Sequence, residues 1–454
     1  MPLYKENHFL IIYPGSDHML FSFGIKDSLS PPQFRIPSIV YQNSTTKEYL
    51  SSSADNCLPI QPIQDSKITD LDAFNALLQI ILSSIIKQHP VTINQIPVLI
   101  IVPSLTWSKR QIEYITKFVF EKLEITAFNI LDLSLASIFG IGGGTVNATV
   151  VHVGDNNIQV APVIGYQTIK YAGVYIKGVG GKVLDEEIKE KRPDLSESQI
   201  DDLKYSGIFE FLQEGEESIQ VQNDTNEDEG EFDVAKIVAN DDGNEDPDVT
   251  SKIRKNKELE KNFFIDSNTQ ERVVVGKERF FTSSKLIGTI SSAIFDSLLK
   301  INDLDKRQDC YDNIILVGSV FQIPGLKQKI IAKLITEYLV TEPPTETNGV
   351  SDPIVNPAII KYQQLNEPNL DDGAGSTLSQ VPNSIRLAKL PDYFPEWKKP
   401  KTLGGSWQDL YFLGGEIYAK QIFSGGSHHH NKELFVASDM YEERGPQSIW
   451  DVSI

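Results

Sequence analysis

The stretch VVHVGDNNIQVAP, residues 150–162, decides the reading of this chain. An apolar strand enters a Gly-Asp-Asn-Asn turn and a second apolar strand leaves it. A hairpin of this build can aim turn N–H groups at a phosphate, with an acidic residue at its entrance to handle metal and water. Here the entrance residue is His152. The question is whether the loop works as part of an ATPase or has kept its shape and lost its chemistry.

Outward from this hairpin the chain alternates between sheet and helix signals. HFLIIY and HMLFSFG flank the turn PGSD as in a second hairpin, and FRIPSIVYQ is extended because Pro37 blocks helix. Residues 70–88 place Leu71, Phe74, Leu77, Leu78, Ile81 and Ile85 at helical spacing behind Asp70 as N-cap. IPVLIIVP reads as a buried strand and SKRQIEYITKFVFEKLE as an amphipathic helix. Later, SSKLIGTISSAIFDSLLKI reads as a helix, and NIILVGSVFQIPGLKQKIIAKLITEYL as strand, Gly turn and helix. The order predicts two α/β halves, each with a strand–turn element of the nucleotide-binding sort and with no clear sequence repeat between them.

Two stretches interrupt the pattern. Residues 213–262 are dense in acid and poor in aromatics, and residues 341–384 are rich in Pro, Asn, Ser, Thr and Gly. Both read as largely disordered insertions, unable to bury enough apolar surface to offset ordering entropy, with FDVAKIV a short piece able to dock.

The 454 residues, 40% hydrophobic, suffice for one large two-lobed protein or two to three ordinary domains. A formal net charge of -20 and the lack of a long basic run argue against general affinity for DNA or anionic membrane. Two distant cysteines, Cys57 and Cys310, give neither a disulfide framework nor metal spacing, as expected in a reducing compartment. The first 24 residues lack a signal-peptide build, and no run approaches the roughly 18 apolar residues of a membrane span. A soluble intracellular protein is expected.

Taken together, these elements resemble actins, in order and over nearly the whole chain outside the two insertions. IPSIV (36–40) is similar to the segment after the first actin hairpin, and VVHVGDNNIQVAP to the second phosphate hairpin. GVGGKVLDEEI (178–188) resembles the connecting helix, and NIILVGSVFQIPGL (313–326) the adenosine loop. FLGGEIYAKQIFS with ASDMYEERGPQSIW resembles the actin close. RLAKLPDYFPEWKK (386–399), the terminal Trp-Asp-Val-x-hydrophobic (450–454) and the acidic insertion narrow the resemblance to an actin-related subunit of fungal SWI/SNF- and RSC-class chromatin remodellers.

The resemblance implies an α/β actin-like fold: two lobes, four subdomains and duplicated ribonuclease-H-like cores around a cleft. Residues 1–148 would form the first lobe and 149–340 the second, carrying the acidic insertion 213–262; 341–384 would be a polar insertion and 385–454 the return to the first lobe. It also implies a nuclear, non-catalytic subunit that pairs with a second actin-related protein. The pair would grip the helicase-SANT-associated helix of the remodeller ATPase together with a small accessory subunit, and would meet nucleosomes only indirectly and no membrane.

The site residues are read against the same pattern. In actins the first turn is Asp-x-Gly-Ser-Gly; here it runs Tyr13, Pro14, Gly15, Ser16, Asp17, His18. Pro14 removes a donor N–H, one glycine of the pair is gone, and Asp17 is displaced from the acid's position. In the second turn His152 replaces the acid, Asp155 keeps its place, and Asn156 stands where Gly is usual but still tolerates a left-handed turn. Asp132 falls near the family's water-positioning Gln. In the third element Gly318 keeps one loop glycine and Ser319 replaces the other. Ser16, His152, Asp155, Gly318 and Ser319 therefore form a degenerate cleft. No catalytic residue, no metal and no cofactor is expected, with ATP binding absent or weak. The competing reading is a weak ATPase whose nucleotide state gates assembly; a third places an actin-related protein in the cytosol, against which LPDYFPEWKK and WDV count.

His428, His429 and His430 on a Gly-Ser loop read as solvent-facing, since consecutive histidines cannot all face one ion. The acidic run near 224–246 offers a surface to basic partners or reads simply as a solvated face. The groove that accepts partner helices in actins maps to Ile138, Phe139, Tyr166, Leu413, Ile417, Tyr418 and Ile422, with Tyr418 the best single contact.

Overall fold

The computed structural model describes residues 4–25, 28–89, 91–212, 256–281, 283–340, 381–399, 405–424 and 434–452. Most of the acidic stretch, residues 341–380, FDVAKIV and the three histidines His428–His430 lie outside the described residues.

The first half opens with the expected hairpin, β1 (Leu10–Pro14) and β2 (His18–Phe23). β3 (Phe34–Pro37) and β4 (Val40–Asn43) follow, then the short strands β5 (Tyr49–Leu50), β6 (Cys57–Ile60), β7 (Ile63–Gln64) and β8 (Lys67–Ile68). Helix α1 (Leu71–Gln88) begins where predicted: the Asp70 carboxylate accepts the Ala73 N–H at 2.9 Å, and Phe74, Leu77, Leu78, Ile81 and Ile85 are buried. β9 (Val98–Val102) is buried throughout, and α2 (Lys109–Glu121) starts with a capping box between Ser108 and Gln111. β10 (Ala127–Asp132) and α3 (Leu133–Ile141) complete this half.

The second half repeats the plan. β11 (Ala148–Val153) and β12 (Asn157–Ile164) form the hairpin, followed by β13 (Gln167–Thr168), β14 (Val174–Lys177), α4 (Gly181–Lys191) and α5 (Glu197–Tyr205). After β15 (Glu210–Phe211), β16 (Asn262–Ile265), β17 (Arg272–Val275) and β18 (Phe280–Phe281) comes the helix Ser284–Leu298. Then β19 (Ile314–Val317) leads through Gly318 to the helix Leu326–Tyr338.

The repeat invisible in the sequence is explicit in the pairing. β1 lies between β2, antiparallel, and β9, parallel; β11 lies between β12, antiparallel, and β19, parallel. Among the described residues the first sheet runs β20-β10-β9-β1-β2-β3, where β20 (Val436–Ala437) returns from the end of the chain; the second runs β13-β12-β11-β19, with β14 also on β12.

Between the two sheets, α3 crosses the helix Leu410–Phe423 at very close range. A Cβ on Gly140 would lie 2.5 Å from the Leu410 carbonyl oxygen, and one on Gly414 1.7 Å from that of Ala136. Glycine is required for the backbones to meet there. Around this crossing one apolar cluster takes in Phe9, Ile11 and Tyr13 from the first hairpin and Val150, Val163 and Val317 from the second sheet, joining the halves through a shared core.

Three boundaries shift. Asn256 and Asn262, placed by the sequence within the acidic insertion, are buried and belong to the fold: Asn262 Nδ2 donates to Asn256 Oδ1 at 2.9 Å, and the fully buried Arg279 guanidinium donates to Asn256 at 2.9 and 2.7 Å. Ser384, at the end of the polar insertion, donates to Asp312 at 2.5 Å. Residues 385–388 stay with the second half, where Leu387 pairs beside Ile314 and the Ala388 N–H donates to the Ile314 carbonyl at 2.9 Å. Charge composition drew the first of these limits, and it cannot register one asparagine that an arginine pulls inside.

Candidate functional site

The two hairpins face each other across a cleft, and at its floor they touch. The Tyr13 hydroxyl and His152 Nε2 are 3.0 Å apart, with both side chains buried. Burial pushes the imidazole down to about 4, so it is neutral at physiological pH, and burial followed by the charge of Asp409 raises the Tyr13 phenol. His152 Nδ1 is buried without a hydrogen-bond partner. Tyr411 packs against both, its ring 4.5 Å from that of Tyr13 and 6.3 Å from that of His152, and its hydroxyl donates to Asp409 Oδ1 at 3.1 Å. Burial lifts the Asp409 carboxyl to about 6.

Above this floor the first turn is occupied by its own half. Ser16 Oγ accepts the Ser66 N–H at 2.8 Å, and its carbonyl accepts Gln61 Nε2 at 2.8 Å. Ser38 Oγ donates to the Gly15 carbonyl at 2.7 Å, and the Gly15 N–H closes the hairpin on the His18 carbonyl at 3.1 Å. Asp17 pairs with the His18 ring, whose hydrogen bond holds the carboxyl below the usual range.

The second turn is tied to α4. Asp155 pairs with Lys182 at 2.9 Å; the Gly154 and Asp155 carbonyls accept the N–H groups of Gly181 at 3.0 Å and Lys182 at 2.9 Å. The opening amides of α4, which would otherwise favour an anion, are thereby consumed. Asn156 Nδ2 donates to Asp65 Oδ1 at 2.8 Å, and Ser66 Oγ donates to Asn157 Oδ1 at 3.2 Å.

Gly318 is retained for a packing reason. Its φ is +118°, and a Cβ there would sit 2.1 Å from the Val153 carbonyl oxygen. Its N–H donates to the Gln408 carbonyl at 2.9 Å, and Ser319 opens the single turn Ser319–Gln322.

A metal-bound triphosphate needs carboxylates for the metal's waters and free turn N–H groups for phosphate oxygens. Tyr13 and His152 bond each other, Asp17, Asp65 and Asp155 are paired with His18, Lys177 and Lys182, and Pro14 has no N–H. The residues present do not fit that group. Among the described residues no set of three or more His, Cys, Asp or Glu side chains is gathered to hold a metal, and no helix is long and apolar enough to cross a membrane.

In comparison with known proteins, the family described as Actin matches residues 5–227, a span that holds both long hairpins and α3. This match and the relative described next support an actin-related protein. The chain is also similar, at 23% identity over 99% of both chains, to the SWI/SNF and RSC complexes subunit arp9 of Schizosaccharomyces pombe (strain 972 / ATCC 24843).

Within this actin-related protein the expected partner groove is only partly a surface. Ile138, Leu413, Tyr418 and Ile422 are 1%, 0%, 3% and 4% exposed and fill the shared core. Tyr418 in particular is not a surface contact: its hydroxyl accepts Asn129 Nδ2 at 3.3 Å, and burial pushes the phenol up to about 12. Helical spacing placed Leu413 and Ile417 on one face, but the tight α3 crossing covers Leu413 and leaves Ile417 half-buried. What reaches the surface is a stack: Tyr418 lies 5.4 Å from Phe139, and Phe139 6.1 Å from Tyr166, which is 38% exposed.

Asp132, which falls near the family's water-positioning Gln, has structural partners. Its carboxylate caps α3 through the Ser134 N–H at 2.9 Å and also accepts Ser104 Oγ at 2.6 Å and Thr168 Oγ1 at 3.2 Å. The residues that sequence reasoning missed are Tyr13's bond to His152 and the Asp65–Ser66 turn. The second had a readable signal, since Ile63 and Ile68 flank a Gln-Asp-Ser-Lys turn as in a short hairpin.

Proposed function

We propose that this actin-related protein is a non-catalytic subunit of a nuclear chromatin-remodelling complex of the SWI/SNF and RSC type. The observation that carries the non-catalytic reading is the Tyr13–His152 hydrogen bond at the cleft floor, where an ATP-hydrolysing actin fold would place acids. The complex assignment draws on the end-to-end similarity to the S. pombe subunit. In this reading the protein neither binds Mg-ATP tightly nor hydrolyses it. It pairs with a second actin-related protein and, with a small accessory subunit, supports the helicase-SANT-associated helix of the ATPase motor. Phe139, Tyr166 and Ile417 form the accessible apolar part of the helix groove.

Purification of the tagged full chain from nuclear extract tests this reading. Co-elution with a remodeller motor and a second actin-related protein is expected; a protein that elutes alone, or with cytosolic partners only, would refute the assignment. Calorimetric titration of the same material with Mg-ATP should show no heat.

A further inference from the structure

The two-residue turn between β7 and β8 holds two non-glycine residues in the left-handed region. Asp65 has φ +50° and Ser66 φ +61°, a left-handed pair that two-residue hairpins normally give to Asn and Gly. Ile63 and Ile68 are buried and anchor the hairpin, so the side chains of the turn itself are not needed to hold it down. Non-glycine residues kept in this conformation point to a role for their side chains.

Those side chains reach across the cleft. From the first half, the Ser66 N–H holds Ser16, and Thr106 Oγ1 donates to the Ser66 carbonyl. Toward the second half, Asp65 accepts Asn156 Nδ2 at 2.8 Å, pairs with Lys177 Nζ at 3.0 Å, and takes the Tyr175 hydroxyl on its carbonyl at 3.0 Å. Ser66 Oγ reaches Asn157 Oδ1 at 3.2 Å. Lys182 lies within electrostatic reach of Asp17, Asp65 and Asp155, so a fixed ammonium draws together acids from both halves.

We propose that the Asp65–Ser66 turn is a built-in latch that joins the two halves across the cleft, doing with side chains what a bound ligand would otherwise do. The latch follows from the geometry of the cleft and does not depend on the chromatin assignment. It keeps the halves in one relative position whatever the nucleotide supply, which suits a rigid platform for a partner.

Replacing the turn by Asn-Gly (Asp65→Asn with Ser66→Gly) separates latch from hairpin. The new pair favours the turn and removes both the carboxylate facing Lys177 and the hydroxyl facing Asn157. In hydrogen exchange on the full chain, β7 and β8 should keep their protection while the amides of residues 154–157 exchange about fivefold faster. Lys177→Gln, which leaves the turn untouched, should move the same amides the same way by less. Unchanged exchange at 154–157 in the Asn-Gly variant would overturn the latch; if that variant loses the hairpin itself, unchanged exchange in Lys177→Gln would do so. A rise in wild-type protection on adding Mg-ATP would also overturn it, because the joint would then wait on nucleotide. That last result would sink the nucleotide-free reading as well, whereas silent variants would sink the latch alone.

Discussion

The hairpins β1–β2 and β11–β12 are one device built twice, and each differs in its own way from what a metal-bound triphosphate needs. In the first, the turn itself changed: Pro14 removes a donor, and Ser16 is bound by residues of its own half. In the second, Gly154 and Asp155 stand in the turn, but its entrance is a buried neutral imidazole and its acid is paired with a lysine. The strands on both sides stayed apolar and buried in each case, since they carry the sheets. Turn chemistry can drift while strand packing holds, because only the strands pay into the core.

The strongest way to break this comparison is to restore the acid. His152→Asp would put a carboxylate into a site with no cation, and a loss of about 3–5 kcal/mol is expected in urea unfolding at neutral pH. The buried acid would have a raised folded-state pKa, so the penalty should shrink as pH falls. A variant as stable as wild type would show that the second hairpin tolerates a buried carboxylate there.

Next, Gly318→Ala forces a Cβ onto the Val153 carbonyl at a φ of +118°, and about 3 kcal/mol should be lost. Gly143→Ala, at φ +63° with open space around it, should cost only about 1 kcal/mol. Equal losses would refute the packing account of Gly318.

Acid titration sharpens the contrast further. The folded-state value of His152, about 4, lies below its ordinary 6.5, so its contribution to stability is full above pH 6.5 and is lost as pH falls from there toward 4. Asp409 works the other way: raised to about 6 from 3.8, its contribution is present at low pH and lost as pH rises through 6. The two partly cancel, and Asp409→Asn should therefore steepen the acid loss of stability. An unchanged slope in denaturation measured from pH 7 to 4.5 would contradict this.

Smaller still, Tyr13→Phe removes the hydroxyl bonded to His152 Nε2 and should cost about 1–2 kcal/mol by the same urea assay. No change would mean that the floor contact is incidental.

The expected elements formed where strand and helix periods were strong: α1 behind Asp70, the buried β9, and both long hairpins. Tyr418 and Leu413 were mapped to a partner groove by resemblance to actins, and neither that resemblance nor a helical period marks which neighbour covers a face. Gly140 and Gly414 let α3 come close enough to bury them.

By itself, then, the sequence determined the two α/β halves, the lack of acids at Tyr13 and His152, and the resemblance to actins. All of these are properties of residue type and local order along the chain. Only the tertiary structure decided that Tyr13 and His152 meet, that Asp65 and Ser66 bridge the cleft to Asn156 and Asn157, and that Asn256 lies inside on Arg279. These are contacts between residues 23 to 139 positions apart, set by how two sheets twist and pack. No local pattern encodes which side chains such packing brings face to face.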